Sequence, residues 1–319
     1  MADAKKLTMD AKMLFIINPT AARGTAQRMW GAARQELIHL GLDFTERATS
    51  RVGEATEIAR TALLDGITRI VAVGGDGTLN EVVNGYLDHA GRAINSSAAL
   101  GLLPCGTGSD FRRSLGFKTH TDAIRALAGS SARTFDAVRV EFKDKNGAAA
   151  SRFCINVATF GLGGQTAAAV NEWRDALPKW IGGRVRFIAA AARALEQYRN
   201  VSVCVLLDSK REFQIQSNLL VVANGRFAGS GMMLAPHAEL DDGLLDVILT
   251  DRATRLDVIK ELPRIQRGAY LKNPKVSETR AREVVITSDA PLAIEIDGEH
   301  AGSTPAQLTV LPASVRFVI

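Results

Sequence analysis

Through roughly the first 130 residues, short apolar runs alternate with stretches of helical spacing, and glycine or asparagine marks each change. Residues 13–17 form a brief apolar run that stops at Asn18-Pro19. A small-residue loop at 20–24 follows, then a helical stretch over 25–40 that ends at Gly41. Residues 43–48 read as a strand, and 54–64 as a helix closing before Gly66. The run 70–73 enters Gly74-Gly75-Asp76-Gly77-Thr78, after which Leu79, Val82, Val83, Tyr86 and Leu87 recur at i, i+3, i+4, i+7 and i+8. A fourth strand at 99–103 meets a second glycine-rich turn, Gly106-Thr107-Gly108-Ser109-Asp110, and a short helix over 111–115. Strands alternating with helices in this way predict a parallel sheet with covering helices.

Past Ser130 the pattern changes. Short, often β-branched runs at 138–142, 153–157, 201–207, 213–215, 219–222, 245–250, 284–287, 293–296 and 308–311 are separated by turn residues. Helical stretches at about 176–199 and 254–268 interrupt them. The expected organisation is an α/β domain over 1–135 and a β-rich domain over 136–319, with the last strand, 315–319, able to pair with either.

Composition narrows the class. Hydrophobic content of 46% and charged content of 23% are those of a soluble globular protein. No stretch reaches the ~18 uncharged apolar residues of a spanning helix, and the polar start predicts no secretory signal. Three separated cysteines, Cys105, Cys154 and Cys204, predict reduced thiols in a cytoplasmic protein. None belongs to a CxxC pair, which argues against a zinc site. Neither a P-loop nor a protein-kinase His-Arg-Asp signature is present.

The glycine turns carry the candidate chemistry. Gly74, Gly75 and Gly77 let a ligand approach the backbone, and the N–H groups of a helix start favour phosphate. Asp76 would repel that phosphate unless a cation lay between them, so a nucleotide phosphate with Mg²⁺ is expected. Asn18, Thr49 and the second turn, with Gly106, Thr107 and Asp110, also follow strands. They therefore converge on the edge where such sheets bind ligands.

Two acidic loops follow in the second domain: Asn224-Gly225-Arg226 leading to Glu239-Leu240-Asp241-Asp242-Gly243-Leu244, and Ile296-Asp297-Gly298-Glu299. Each Asp-Gly alone reads equally as a hairpin turn. In this order, the motif set resembles the diacylglycerol-kinase-type lipid kinases, related to sphingosine and ceramide kinases and more distantly to NAD kinases. The resemblance runs from Phe15 to about Pro312. It implies an α/β nucleotide-binding domain and a β-sandwich-like domain, with the active site in the cleft between them. It also implies ATP contacts from Gly75, Asp76, Gly77, Thr78, Leu79, Asn80 and Glu81, with Thr49 and Thr107; the residue reading adds Asn18, Gly74, Gly106 and Asp110, with Asp76 and Asp110 expected to organise the catalytic Mg²⁺. Asp242 and the main-chain oxygens of Glu239 and Leu244 would form a structural Mg²⁺ site. Glu299 would accept a proton, with Asp297 beside it. Three positions depart from the family pattern: Ser109 stands for Asn, Arg112 for Ala, and Ala22 for a common Gly.

The activity expected is ATP- and Mg²⁺-dependent phosphorylation of a lipid hydroxyl, as of diacylglycerol, a sphingoid base or a related glycerolipid. The alternatives are an NAD kinase-like phosphotransferase acting on a soluble substrate and a non-catalytic nucleotide- or lipid-binding regulator. Charge bears on the partner. Residues 251–282 hold nine Lys or Arg against four Asp or Glu, a surplus equal to the net charge of +5 for the chain. Residues 173–199 hold six basic against two acidic residues, with Trp173 and Trp180. Basic, aromatic-flanked helices predict peripheral contact with an anionic membrane surface, here the inner face. No stacking-aromatic module points to nucleic acid, and a homodimer is compatible with the sequence.

Overall fold

The computed structural model describes residues 13–21, 25–105, 109–176 and 183–319. The chain divides into two compact units, Met1–Phe135 with Ser314–Ile319, and Asp136–Ala313.

The first unit contains β1 (Met13–Ile17), α1 (Thr25–His39), β2 (Thr45–Ala48), α2 (Glu54–Leu64), β3 (Arg69–Gly74), α3 (Asp76–Tyr86), β4 (Ala99–Pro104), α4 (Asp110–Ser114) and α5 (His120–Ala128). Its strands run parallel in the order β2-β1-β3-β4. Every residue of β1 and β4 is buried, as expected for strands covered on both faces. Phe15, Trp30 and Phe44 stack at centroid separations of 4.8–6.0 Å, and with Val71, Val73, Leu103 and Ile124 they form one core. Helix α5 is short and amphipathic, burying Ala123, Ile124, Ala126 and Leu127. It is set by a capping box in which the Thr119 hydroxyl and the Asp122 carboxylate accept each other's backbone N–H.

The second unit holds β5 (Ala132–Lys143, entering from the first), β6 (Ala149–Cys154), β7 (Val157–Gly161), α6 (Leu162–Ala176), α7 (Gly183–Glu196), β8 (Val201–Leu207), β9 (Arg211–Ser217), β10 (Leu219–Ala223) and the short pair β11 (Phe227–Ala228) and β12 (Met232–Met233). Then come β13 (Leu245–Thr250), α8 (Arg255–Ile265), a short 3-10 helix (Ala269–Lys272), β14 (Val276–Ala281), β15 (Glu283–Ser288), β16 (Ala293–Ile296) and β17 (Glu299–Val318). The strands pair antiparallel as β14-β13-β10-β7-β16-β17, while β15 joins β17 to β8 and β9. Inward residues from both sets, among them Val140, Phe160, Val205, Val222, Val247, Ile286, Ile294 and Leu308, share one core.

The structure departs from the sequence expectation at two places and settles a third that was open. Helix α6 begins at Leu162, well before the expected 176, and Gly161, Gly163 and Gly164 fall at its start. Those glycines are needed for packing: a Cβ at Gly164 would lie 2.2 Å from the Ala293 carbonyl oxygen. β17 is one 20-residue strand rather than two runs, continuing through Pro312 and Ala313, the latter at φ 49°. Its last residues belong to the first unit, where Phe317 pairs in parallel with Leu100 of β4.

Helices α2 and α3 approach closely at Gly85, where an added Cβ would lie 2.4 Å from the Thr56 carbonyl oxygen and 2.8 Å from Ala59 Cβ. Gly85→Ala is therefore expected to cost about 1–3 kcal/mol from overpacking. Gly31→Ala on α1, where nothing lies within 4 Å, should instead gain up to ~1 kcal/mol from helix propensity. Urea unfolding of the two variants checks both signs.

Candidate active site

In the first unit the two glycine-rich turns are joined by a carboxylate. Asp76 opens α3, and its Oδ2 and Oδ1 accept the backbone N–H groups of Asp110 and Phe111 at 2.9 and 3.0 Å. The first turn of α4 is thus anchored to the β3–α3 turn. Gly75, which precedes α3, is extended and has no side chain to cap the helix, so no side-chain cap covers its first N–H groups. Gly75, Asp76 and Gly77 are half-buried, whereas Thr78, Leu79 and Asn80 are buried. The Thr78 hydroxyl accepts from Asn18 Nδ2 at 3.1 Å. It packs so closely on Gly74 that a Cβ there would come within 2.4 Å of it. Thr49 donates its N–H to the Ile17 carbonyl at 2.8 Å, placing it beside the end of β1 with Asn18.

Not all of the expected nucleotide residues face such an opening. Glu81 is turned to α2, where its Oε2 accepts the Ala55 N–H at 3.1 Å and its carbonyl accepts the Thr56 hydroxyl at 2.8 Å. Asn80 is fully buried, with its carbonyl and Oδ1 accepting from Asn84 Nδ2. Asp110 is buried and lies 3.6 Å from Arg113 Nε. Gly106 and Thr107, like Ala22 and Trp180, lie outside the described residues.

In the second unit the two motifs of the sequence meet at residues 154–157. Asp297, buried and at φ 48°, accepts the N–H groups of Ile155, Asn156 and Val157 at 2.9–3.1 Å and the Cys154 thiol at 3.1 Å. Burial and the neighbouring Asp297 charge push the Cys154 thiol far above its ordinary value. Asn224 closes the other side, donating Nδ2 to the Ile155 and Asp136 carbonyls at 2.8 and 3.0 Å. Glu295 accepts the Thr159 hydroxyl and the Gly298 N–H, which fixes the turn once more. Glu299 differs: it is about a quarter exposed and pairs with Arg152 Nη2 at 2.7 Å. Of the two carboxylates in Asp297-Gly298-Glu299, one is occupied by backbone and the other faces partly outward.

Family models match the chain over both units. A model described as the diacylglycerol kinase catalytic domain matches residues 12–140, and one described as the YegS C-terminal NAD kinase beta sandwich-like domain matches residues 155–319, over half of the chain. A diacylglycerol kinase of Staphylococcus carnosus is 30% identical, with 97% of this chain and 95% of that protein aligned. The chain belongs to the diacylglycerol kinase family. A Mycobacterium tuberculosis diacylglycerol kinase is 27% identical over 96% of this chain and 94% of its own length. A crystal structure from Bacillus anthracis ascribed to a diacylglycerol kinase superposes with a TM-score of 0.73 at 20% identity, covering 97% of this chain and 96% of that one, which is a likeness of fold. The chain is accordingly a lipid kinase with an α/β unit and a β-sandwich-like unit.

For this lipid kinase the expected Mg²⁺ ligands sit in a loop dense with charge. Asp242 Oδ1 accepts the Leu244 N–H at 3.0 Å, and its Oδ2 lies 3.6 Å from Arg280 Nη1. The same guanidinium donates Nε to Asp246 at 3.1 Å and Nη2 to the His237 carbonyl at 2.7 Å. Burial raises the Asp246 carboxyl, and Arg280 partly offsets it. Burial likewise raises Asp136, against the N–H groups of Ala313 and Gly243 that it accepts at 2.7 Å. Asp242 and the Glu239 and Leu244 carbonyls are hard oxygen donors of the kind Mg²⁺ takes. In this arrangement, however, Arg280 supplies the positive charge where an ion would bind. Among the described residues no group of three or more His, Cys, Asp or Glu is placed to hold a metal.

Sequence reasoning did not find Arg152, Glu295, Asp136 or Arg280. Arg152 lies 147 positions from Glu299, and only strand pairing brings the two together. A charged residue within an otherwise alternating strand was the one local signal.

The two acids of the turn should separate in their effects. Asp297→Asn sets an amide donor against backbone donors in a buried site and should cost about 3 kcal/mol in urea unfolding. Glu299→Gln removes a partly exposed ion pair and should cost under ~1 kcal/mol.

Proposed function

We propose that the enzyme transfers the γ-phosphoryl group of ATP, bound as its Mg²⁺ complex, to the free hydroxyl of diacylglycerol. The observation that carries this reading is the division of roles in Asp297-Gly298-Glu299: Asp297 is consumed by four donors, and Glu299 stays half-buried, oriented by Arg152. Diacylglycerol is chosen among lipid hydroxyls because the curated relatives are named for it. The α3 N-terminus, with Asn18, Thr49 and the Gly74–Thr78 turn, is the proposed phosphate cradle. Asp76 acts there as a positioning residue that holds α4 and the second glycine turn, since both its oxygens take backbone N–H groups.

In the reaction the lipid oxygen bonds to the γ-phosphorus as the bond to the β-phosphate oxygen breaks, giving ADP and a phosphorylated lipid. The hydroxyl proton passes to Glu299 late, because a carboxylate is a weak base towards an alcohol. The nucleotide's phosphates would have their charge neutralised by Mg²⁺ bound with it. The further site at Asp242, Glu239 and Leu244 is proposed as structural, with the ion taking over from Arg280.

Labelled-phosphate transfer from ATP to diacylglycerol, a sphingoid base and NAD tests the assignment. Diacylglycerol should be the acceptor, and Glu299→Gln should lower kcat by roughly a hundredfold or more while the melting temperature holds. Transfer to NAD alone, or full activity in Glu299→Gln, would refute it. Asp242→Ala should lower the melting temperature, and it should abolish whatever stabilisation Mg²⁺ gives the wild type in the absence of nucleotide.

A further inference from the structure

Helix α8 turns large apolar side chains outward. Leu256 is 65% exposed, Ile259 48% and Leu262 48%, and Pro263 is exposed beside them. Its buried residues, Val258, Glu261 and Ile265, mark the opposite face. At about 100° per residue, Leu256, Ile259, Lys260 and Pro263 lie together on the outward side with Leu262 at its margin, and exposed Arg267 follows two residues past the helix end.

The two acids of the helix do not offset these cations. Asp257 is taken by the Thr254 cap and by Lys275 Nζ at 2.6 Å, bonds that hold its carboxyl far below the usual range. Glu261 is buried and accepts from Arg264 at 3.2 Å and Asn273 at 3.0 Å. Among the described residues no carboxylate pairs with Arg255, Lys260 or Arg267. An apolar strip and uncompensated positive charge therefore share one exposed face.

The occupant of such a face must take both. A polyanion such as nucleic acid would engage the cations and leave the strip wet. An apolar protein surface would cover the strip and desolvate the cations without compensation. An anionic bilayer takes the strip into the headgroup–acyl boundary and meets the cations with phosphates. No described helix is long and apolar enough to cross a membrane, so α8 would lie on the surface.

We infer that α8 is the surface by which the enzyme docks on an anionic bilayer, Leu256 and Ile259 entering the interface and Lys260 and Arg267 contacting lipid phosphates. The inference rests on the reading of the chain as a kinase for a membrane lipid, which brings it to such a surface. All four side chains are exposed and none belongs to the proposed site.

The test is co-sedimentation of the full chain with phosphatidylcholine vesicles, and with vesicles in which about a third of the lipid is phosphatidylglycerol. The wild type should bind the anionic vesicles selectively. Leu256→Ser/Ile259→Ser and Lys260→Glu/Arg267→Glu should each weaken that binding roughly tenfold or more, with unchanged melting temperatures. Transfer to a dispersed short-chain diacylglycerol should be as in the wild type. Unchanged vesicle binding in both variants would overturn the docking role. So would a wild-type dimer that Leu256→Ser/Ile259→Ser splits while vesicle binding persists, which would make the face a contact between copies. If no lipid is phosphorylated yet the variants lose the vesicles, the docking stands and the acceptor assignment falls. If transfer holds and the variants still bind, only the docking falls.

Discussion

Buried and half-buried carboxylates that accept backbone N–H groups from distant segments hold the loops of this enzyme in place. Asp297 does so for residues 155–157, Asp76 for the start of α4, Asp136 for Gly243 and Ala313, and Glu81 for the start of α2. In each case the loop is too irregular to satisfy its own donors, and an unpaired buried N–H would cost more than an ion so well solvated by amides. The motif acids are therefore first of all substitutes for secondary structure. Glu299 stands outside such a network, and a guanidinium rather than the backbone holds it in place, which is why the proposed proton acceptor is placed there.

How much of this was legible in the sequence differs between the units. The strand–turn–helix order of the first unit is local, because each apolar run is closed by glycine or asparagine, and β1, α2 and α3 fall where periodicity puts them. Helix α5 escaped although it buries Ala123, Ile124, Ala126 and Leu127 at helical spacing, because nine residues carry little more than one repeat of that stripe. The early part of α6 escaped because glycine reads locally as a breaker, whereas here it admits a helix against the Ala293 backbone. The site was legible as a set of motifs but not as a division of labour. That Asp297 is filled and Glu299 is not depends on β6 and β7, more than a hundred residues earlier.

The charge surplus of residues 251–282 has a structural reason as well. Several of its cations are spent internally: Lys275 on Asp257, Arg264 on Glu261, and Arg280 on Asp242 and Asp246. Of the rest, Arg255 and Lys260 lie on α8 and Arg267 just past its end, so a count along the sequence overstates the patch.

The last residues of the chain lie beside β4, in the unit built by the first 135. During synthesis the parallel sheet can assemble as far as β4 and must then wait, one edge unpaired, while the whole second unit is made. Phe317, which packs on Phe111 and Phe135, arrives last. The first unit is thus completed by residues made after the whole of the second, and a chain cut short before Ser314 would lack its last strand.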